Sequence, residues 1–228
     1  SLHDALPIWG SVRMKTFLRF LGNLAVIIIA FVFYTVLQLG YAQKKVNLLF
    51  AIILAVLTVA VIYWMYWIYK RELKQENDWF FNAKPHWDVK RIIIAVAAFF
   101  ALVIFQVAYI RLIGGNTVSQ NQAELDEVRK VASPMFNILL VVVAPICEEF
   151  IFRALFFNTF FPADNNLNKW VGVVASGFVF AYGHDPMFSK FIYLYWVMGM
   201  ILAWTYVETK DIRYSILTHM LNNILSIL

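Results

Sequence analysis

Seven stretches of this chain are apolar over lengths close to the roughly 20 residues that a helix needs to cross a bilayer. They run over residues 17–39, 46–69, 91–113, 134–161, 170–184, 190–207 and 211–228. The fifth is short and reads as partly re-entrant. Backbone that enters hydrocarbon must satisfy all its polar groups internally. The fold class expected is therefore all-α: a polytopic transmembrane helix bundle of about seven membrane helices. Composition agrees, since 62% of the 228 residues are hydrophobic and only 14% are charged, against about 45–50% apolar in ordinary soluble domains. The net charge is +5, but the basic residues lie in short loops between apolar runs, which argues against nucleic acid as a partner. The single cysteine, Cys147, excludes an intrachain disulfide and reads as a small buried hydrophobe.

Residues 1–13, SLHDALPIWGSVR, differ in character from the rest of the chain. Met14 opens a stretch that looks like a natural start, so 1–13 is expected to be a non-native leader. The remainder divides in two: residues 14–133, with the first three helices and a polar loop, and residues 134–228, where the chemistry concentrates. The first apolar stretch exceeds a signal-peptide core in length and reads as a retained anchor. Lysine and arginine set the orientation. With the N-terminus inside, cytoplasmic segments collect twelve of them and outer segments six, so the N-terminus is expected in the cytoplasm. Residues 114–133 read as an outer loop holding a short amphipathic helix. The aromatics of the inner loop 70–90 (Trp79, Phe80, Phe81, Trp87) are expected at the headgroup level.

Ionisable side chains are costly in a span and mark function or pairing. The segment APICEEFIFR, 144–153, holds three of them. Glu149 and Arg153 stand four residues apart, share a helix face and are expected to pair. Glu148 points about 100° away and has no partner on its own helix. Pro145 removes a backbone donor just before it, so a kink or local opening is expected. His184 ends the fifth stretch, one turn after Phe180. His219 and Asn223 share a face of the last helix, with Asn222 off that face. A carboxylate, two imidazoles and an amide from three segments form a set suited to amide hydrolysis by activated water. Glu148, His184 and His219 are also a donor set for zinc. No nucleophile constellation accompanies them.

EEFIFR (Glu148, Glu149, Arg153), FAYGH (Phe180, His184) and HMLNN (His219, Asn223) resemble, in order, the motifs E-E-x-x-x-R, F-x-x-x-H and H-x-x-x-N of the CPBP family. These are the CAAX-protease and bacteriocin-processing intramembrane endopeptidases, also called Abi. The resemblance covers residues 134–228 and implies a catalytic core in the last four helices. It implies Glu148 as the water-activating glutamate, His184 as its assistant, and His219 with Asn223 as the oxyanion site. Glu149, Arg153 and Phe180 would be architectural support. It implies a glutamate protease with no required metal or other cofactor, often labelled a metalloendopeptidase. If a metal is bound, Glu148, His184 and His219 would hold it. The substrate would be a membrane-associated peptide or protein, and the location the plasma membrane of a bacterium. A non-enzymatic bacteriocin self-immunity protein, a zinc-dependent form of the same protease, and a transporter or channel remain as alternatives.

Overall fold

A computed structural model describes residues 2–115 and 117–227, with side chains from Met14 onward. The expectation of a leader over residues 1–13 thus concerns side chains outside those described. Among the described residues, eight helices make up about 80% of the chain and no strand occurs. They are α1 (Leu2–Tyr41), α2 (Leu48–Gln75), α3 (Val89–Leu112), α4 (Gln120–Val131), α5 (Met135–Phe160), α6 (Asn166–His184), α7 (Ile192–Thr209) and α8 (Ile212–Ile227). Four are long and apolar enough to cross a membrane: Met14–Tyr41 of α1, then α2, α3 and α5.

The last three helices, of 19, 18 and 16 residues, coincide with the last three apolar stretches, and α6 starts four residues before the stretch 170–184. Helices α7 and α8 pack largely against protein, which buries polar side chains such as Thr205, Ser215 and Thr218. Where α6 meets α7, Gly199 lies against Gly177. A Cβ at Gly199 would sit 2.8 Å from the Gly177 Cα. Glycine lets the two backbones touch, as small residues commonly do between membrane helices.

Helix starts are capped as the sequence allows. Asn47, Asp88, Ser119 and Asn165 each accept a backbone N–H of the first turn through the side chain, satisfying one donor that the helix itself cannot. The amphipathic helix expected within residues 114–133 is α4. The loop between α2 and α3 departs from expectation. Trp79 and Phe81 are buried in protein, with the Trp79 indole donating to the Phe161 carbonyl at 2.7 Å, while Phe80 and Trp87 stay exposed. Indole and phenyl rings reach the headgroups only if the protein offers no better burial, and here Phe157 and Tyr206 do.

The helix α5 is continuous but irregular. Two π-helical stretches, Leu139–Val143 and Phe150–Leu155, flank an α-helical turn, Ala144–Glu149. Ala144 N–H bonds the Leu139 carbonyl, five residues back. Pro145 would be the next donor in that spacing and has no N–H, which leaves the Leu140 carbonyl without it. The Asn223 side chain on α8 donates to that carbonyl at 2.9 Å. In the second π stretch, the Ser176 hydroxyl donates to the Phe152 carbonyl at 2.6 Å. The opening expected at Pro145 thus takes the form of a π segment whose freed carbonyl is bonded from a neighbouring helix, as buried backbone requires.

Candidate active site

The adjacent residues Glu148 and Glu149 leave α5 about 100° apart, and both reach the same cluster because helices pack on both sides of it. Glu149 and Arg153 are fully buried, with Arg153 Nη1 3.3 Å from Glu149 Oε1. The expected i,i+4 pair is therefore present. Arg153 also donates to the Gly199 carbonyl at 3.2 Å, and its guanidinium carbon lies 4.7 Å from the centre of the Phe180 ring. The carbonyl is within reach because Gly177 and Gly199 bring α6 and α7 together. His219 Nδ1 lies 3.0 Å from Glu149 Oε1. A carboxylate can only accept, so the imidazole donates there. Glu149 therefore ties its own helix to α8.

Glu148, without a partner on α5, finds three elsewhere. The Tyr34 hydroxyl of α1 donates to Glu148 Oε1 at 2.5 Å. The other oxygen, Oε2, faces His219 Nε2 at 3.7 Å and His184 Nε2 at 3.9 Å. His184 Nδ1 is 2.8 Å from the Phe180 carbonyl, an acceptor, which places the proton on Nδ1 and the lone pair on Nε2. The Phe180 ring holds both imidazoles in place, its centroid 4.2 Å from His184 and 5.8 Å from His219. Tyr195 stacks on His184 with ring centroids 4.9 Å apart. Both Nε2 atoms lie beyond direct hydrogen-bonding range of Oε2, at separations that one small polar molecule can bridge.

These groups form the floor of a cavity of about 680 Å³. Its walls are α4 and the C-terminal ends of α1, α3 and α8, so it lies toward the membrane face opposite Met14. Asn223 lines it with His219. One N–H of its amide is committed to the Leu140 carbonyl, and the amide carries a second. Asn222, placed off the working face by helical spacing, also lines the cavity and accepts from the Gln106 amide at 2.7 Å. Spacing within the sequence gives no sign of Tyr34, Gln106, Tyr195 or Asn222 as members of the site. A tyrosine in an apolar run signals only an aromatic, and helix assignment alone does not reveal which helices meet. Cys147 is buried, as expected, and takes no part in the cluster.

Glu148, His184 and His219 have the donor chemistry that zinc favours, each imidazole having bound its Nδ1 to an acceptor. Their placement does not match, because among the described residues no group of three or more His, Cys, Asp or Glu side chains could hold a metal ion.

The type II CAAX prenyl endopeptidase Rce1-like family matches residues 130–225, the segment that holds α5 to α8 and all three motifs. The membrane-embedded CAAX protease MroQ of Staphylococcus aureus (strain USA300) is 28% identical over 228 residues, covering 95% of this chain and 87% of that protein. The putative membrane peptidase YdiL of Bacillus subtilis (strain 168) is 31% identical over 137 residues, 58% of this chain and 53% of that protein. The UPF0177 protein YbdI of Lactococcus lactis subsp. lactis (strain IL1403) is 30% identical over 113 residues, 49% of this chain and 59% of that protein. No solved structure matches. With four helices fit to span a bilayer and relatives named as bacterial membrane proteases, the chain is a multi-pass membrane protein whose residues 130–225 are similar to the CAAX-protease-like membrane peptidases.

Proposed function

We propose that this protein is an intramembrane endopeptidase in which Glu148 activates a water for attack on a peptide bond. The observation that carries this reading is the approach of His184 Nε2 and His219 Nε2 to one oxygen of Glu148, at 3.9 and 3.7 Å, on the floor of a large cavity. A water there donates to Glu148 Oε2 and to the His184 lone pair, which orients it. Glu148 takes its proton as the oxygen attacks the scissile carbonyl. His219 carries a proton on each nitrogen, one held by Glu149, and offers Nε2–H to the developing oxyanion beside the second N–H of Asn223. Collapse breaks the C–N bond, and Glu148 passes the proton to the leaving amine. One peptide bond and one water give a carboxylate and a protonated amine, once the new carboxylic acid has passed its proton to the amine.

Glu149, Arg153 and Phe180 act as support: the ion pair holds His219, and the ring holds both imidazoles. No step passes through a metal. With the N-terminus in the cytoplasm, as the lysine and arginine distribution favours, the cavity faces outward and the substrate is a membrane-associated peptide reached from that side. A reporter fused after Leu228 should then be active only outside the cell. Activity inside would reverse the sidedness.

Mass-spectrometric detection of products from a membrane-peptide library in proteoliposomes tests the chemistry. Wild type should cleave, and Glu148→Gln should lower the rate by about 10²–10⁴-fold with unchanged folded yield. A strong chelator should change nothing. Loss of product on chelation would overturn the metal-free mechanism. Equal cleavage by wild type and Glu148→Gln would remove Glu148 from the chemistry. An intact cellular phenotype with Glu148→Gln would favour a non-enzymatic immunity role.

A further inference from the structure

The residues that match the family end at one side of the cluster, and the other side is closed by a helix outside that match. Residues 130–225 supply Glu148, His184 and His219. The remaining contact on Glu148 comes from α1, where Ala30, Tyr34, Leu37 and Tyr41 are buried while their neighbours face outward. Their spacing of four, three and four residues is one helical stripe. Two of them carry hydroxyls. Tyr41 meets Thr58 of α2 at 3.1 Å, which joins α1 to α2. Tyr34 is different: it crosses to α5 and donates to Glu148 Oε1 at 2.5 Å.

We infer that Tyr34 is a positioning residue for Glu148, so that the N-terminal helix completes the active site. The inference rests on the proposed role of Glu148 as base. A glutamate side chain has three rotatable bonds, and its two carboxylate oxygens are chemically equivalent. A base that must meet a water between two imidazoles needs one oxygen held there. The Tyr34 hydroxyl occupies Oε1 and thereby turns Oε2 toward His184 and His219. No other side chain is hydrogen-bonded to Glu148 among the described residues. The contact also explains why a phenol suits this place in an apolar stripe. Its ring is 4% exposed and packs with the bundle, while the hydroxyl has an ionisable acceptor that keeps it from being an unpartnered polar group.

The test uses two readouts, one of which needs no substrate. Tyr34→Phe keeps the ring and removes the hydroxyl. With the peptide that the wild-type protein cleaves best, it should lower kcat about tenfold or more, as loss of a hydrogen bond to a charged group does, and leave KM unchanged. Tyr41→Phe, on the same stripe, should leave both constants unchanged. A hydrophobic carbodiimide should add to Glu148 several-fold faster in Tyr34→Phe, because Oε1 then lies open, and labelling of Glu72 serves as the internal reference. Unaltered kcat and unaltered Glu148 labelling in a folded Tyr34→Phe protein would overturn the inference. The labelling stands even if no peptide is cleaved, so failure of the protease reading and failure of this one are told apart. Should Tyr34→Phe fold poorly, Tyr34→Trp, which keeps an aromatic ring but aims its donor elsewhere, must show the same faster labelling or the inference falls.

Discussion

The spanning parts of the first three helices and of the fifth are of similar length and are all apolar enough to cross a bilayer, yet they do opposite things with that apolarity. In α1, α2 and α3, 17% of the most apolar window is buried inside the protein, whereas in α5 the share is 61%. Lipid solvates the apolar faces of the first three. Helix α5 is solvated by protein, chiefly α1, α2, α6 and α8. Ionisable groups persist where neighbouring helices supply partners, and α5 alone among the four has two adjacent acids and an arginine in its interior. Membrane-crossing length alone therefore does not separate scaffold from chemistry. What separates them is whether the span faces lipid or other helices.

Four substitutions sharpen this contrast. Arg153→Ala should have the largest effect on stability, about 3–5 kcal/mol, because Glu149 would be left as a buried charge without its pair. Thermal unfolding in detergent micelles reads it, and a shift as small as that of a lipid-facing change would break the comparison. Gly199→Ala comes next. A Cβ there meets the Gly177 Cα and carbonyl oxygen at 2.8 and 2.9 Å, backbone atoms that cannot swing aside. Overpacking of this kind costs about 1–3 kcal/mol. It should also displace the Gly199 carbonyl from Arg153, so cleavage should fall together with melting temperature.

Asn223→Ala removes the donor to the Leu140 carbonyl, which Pro145 cannot replace. The loss should be about 1 kcal/mol, near the low end for an unmade buried hydrogen bond. If stability is unchanged while cleavage falls, the amide serves the oxyanion alone. Smallest is Ile53→Ala on α2, a side chain 48% exposed toward lipid. Its effect should stay within about 0.5 kcal/mol, measured by the same micelle unfolding.

Much of the site is legible in residue spacing. Glu149 and Arg153 sit one turn apart, and that interval alone predicts the pair found at 3.3 Å. Phe180 and His184, likewise one turn apart, share a face as expected, with their rings tilted against each other at 4.2 Å. Spacing fails where a contact crosses between helices. On α8 alone, Asn222 lies off the face that Asn223 shares with His219, but α3 brings Gln106 to it at 2.7 Å. The aromatics between α2 and α3 show the same limit: Trp79 and Phe80 are sequence neighbours of like character, and only the fold buries one and exposes the other.

From the sequence by itself came the all-α membrane class, since apolar length and the need to pair every backbone polar group leave little else. So did the concentration, after residue 134, of the acids and histidines that lie inside apolar stretches, and the pairing of groups one helical turn apart. These arise from local geometry, in which 3.6 residues per turn fix what one helix can do with its own side chains. Only the tertiary structure decided which oxygen of Glu148 meets the imidazoles, that Tyr34 holds the other, and that Asn223 serves a carbonyl released by Pro145. Each of these depends on how separate helices dock, and docking is set by packing of whole faces across the bundle rather than by any periodicity within one.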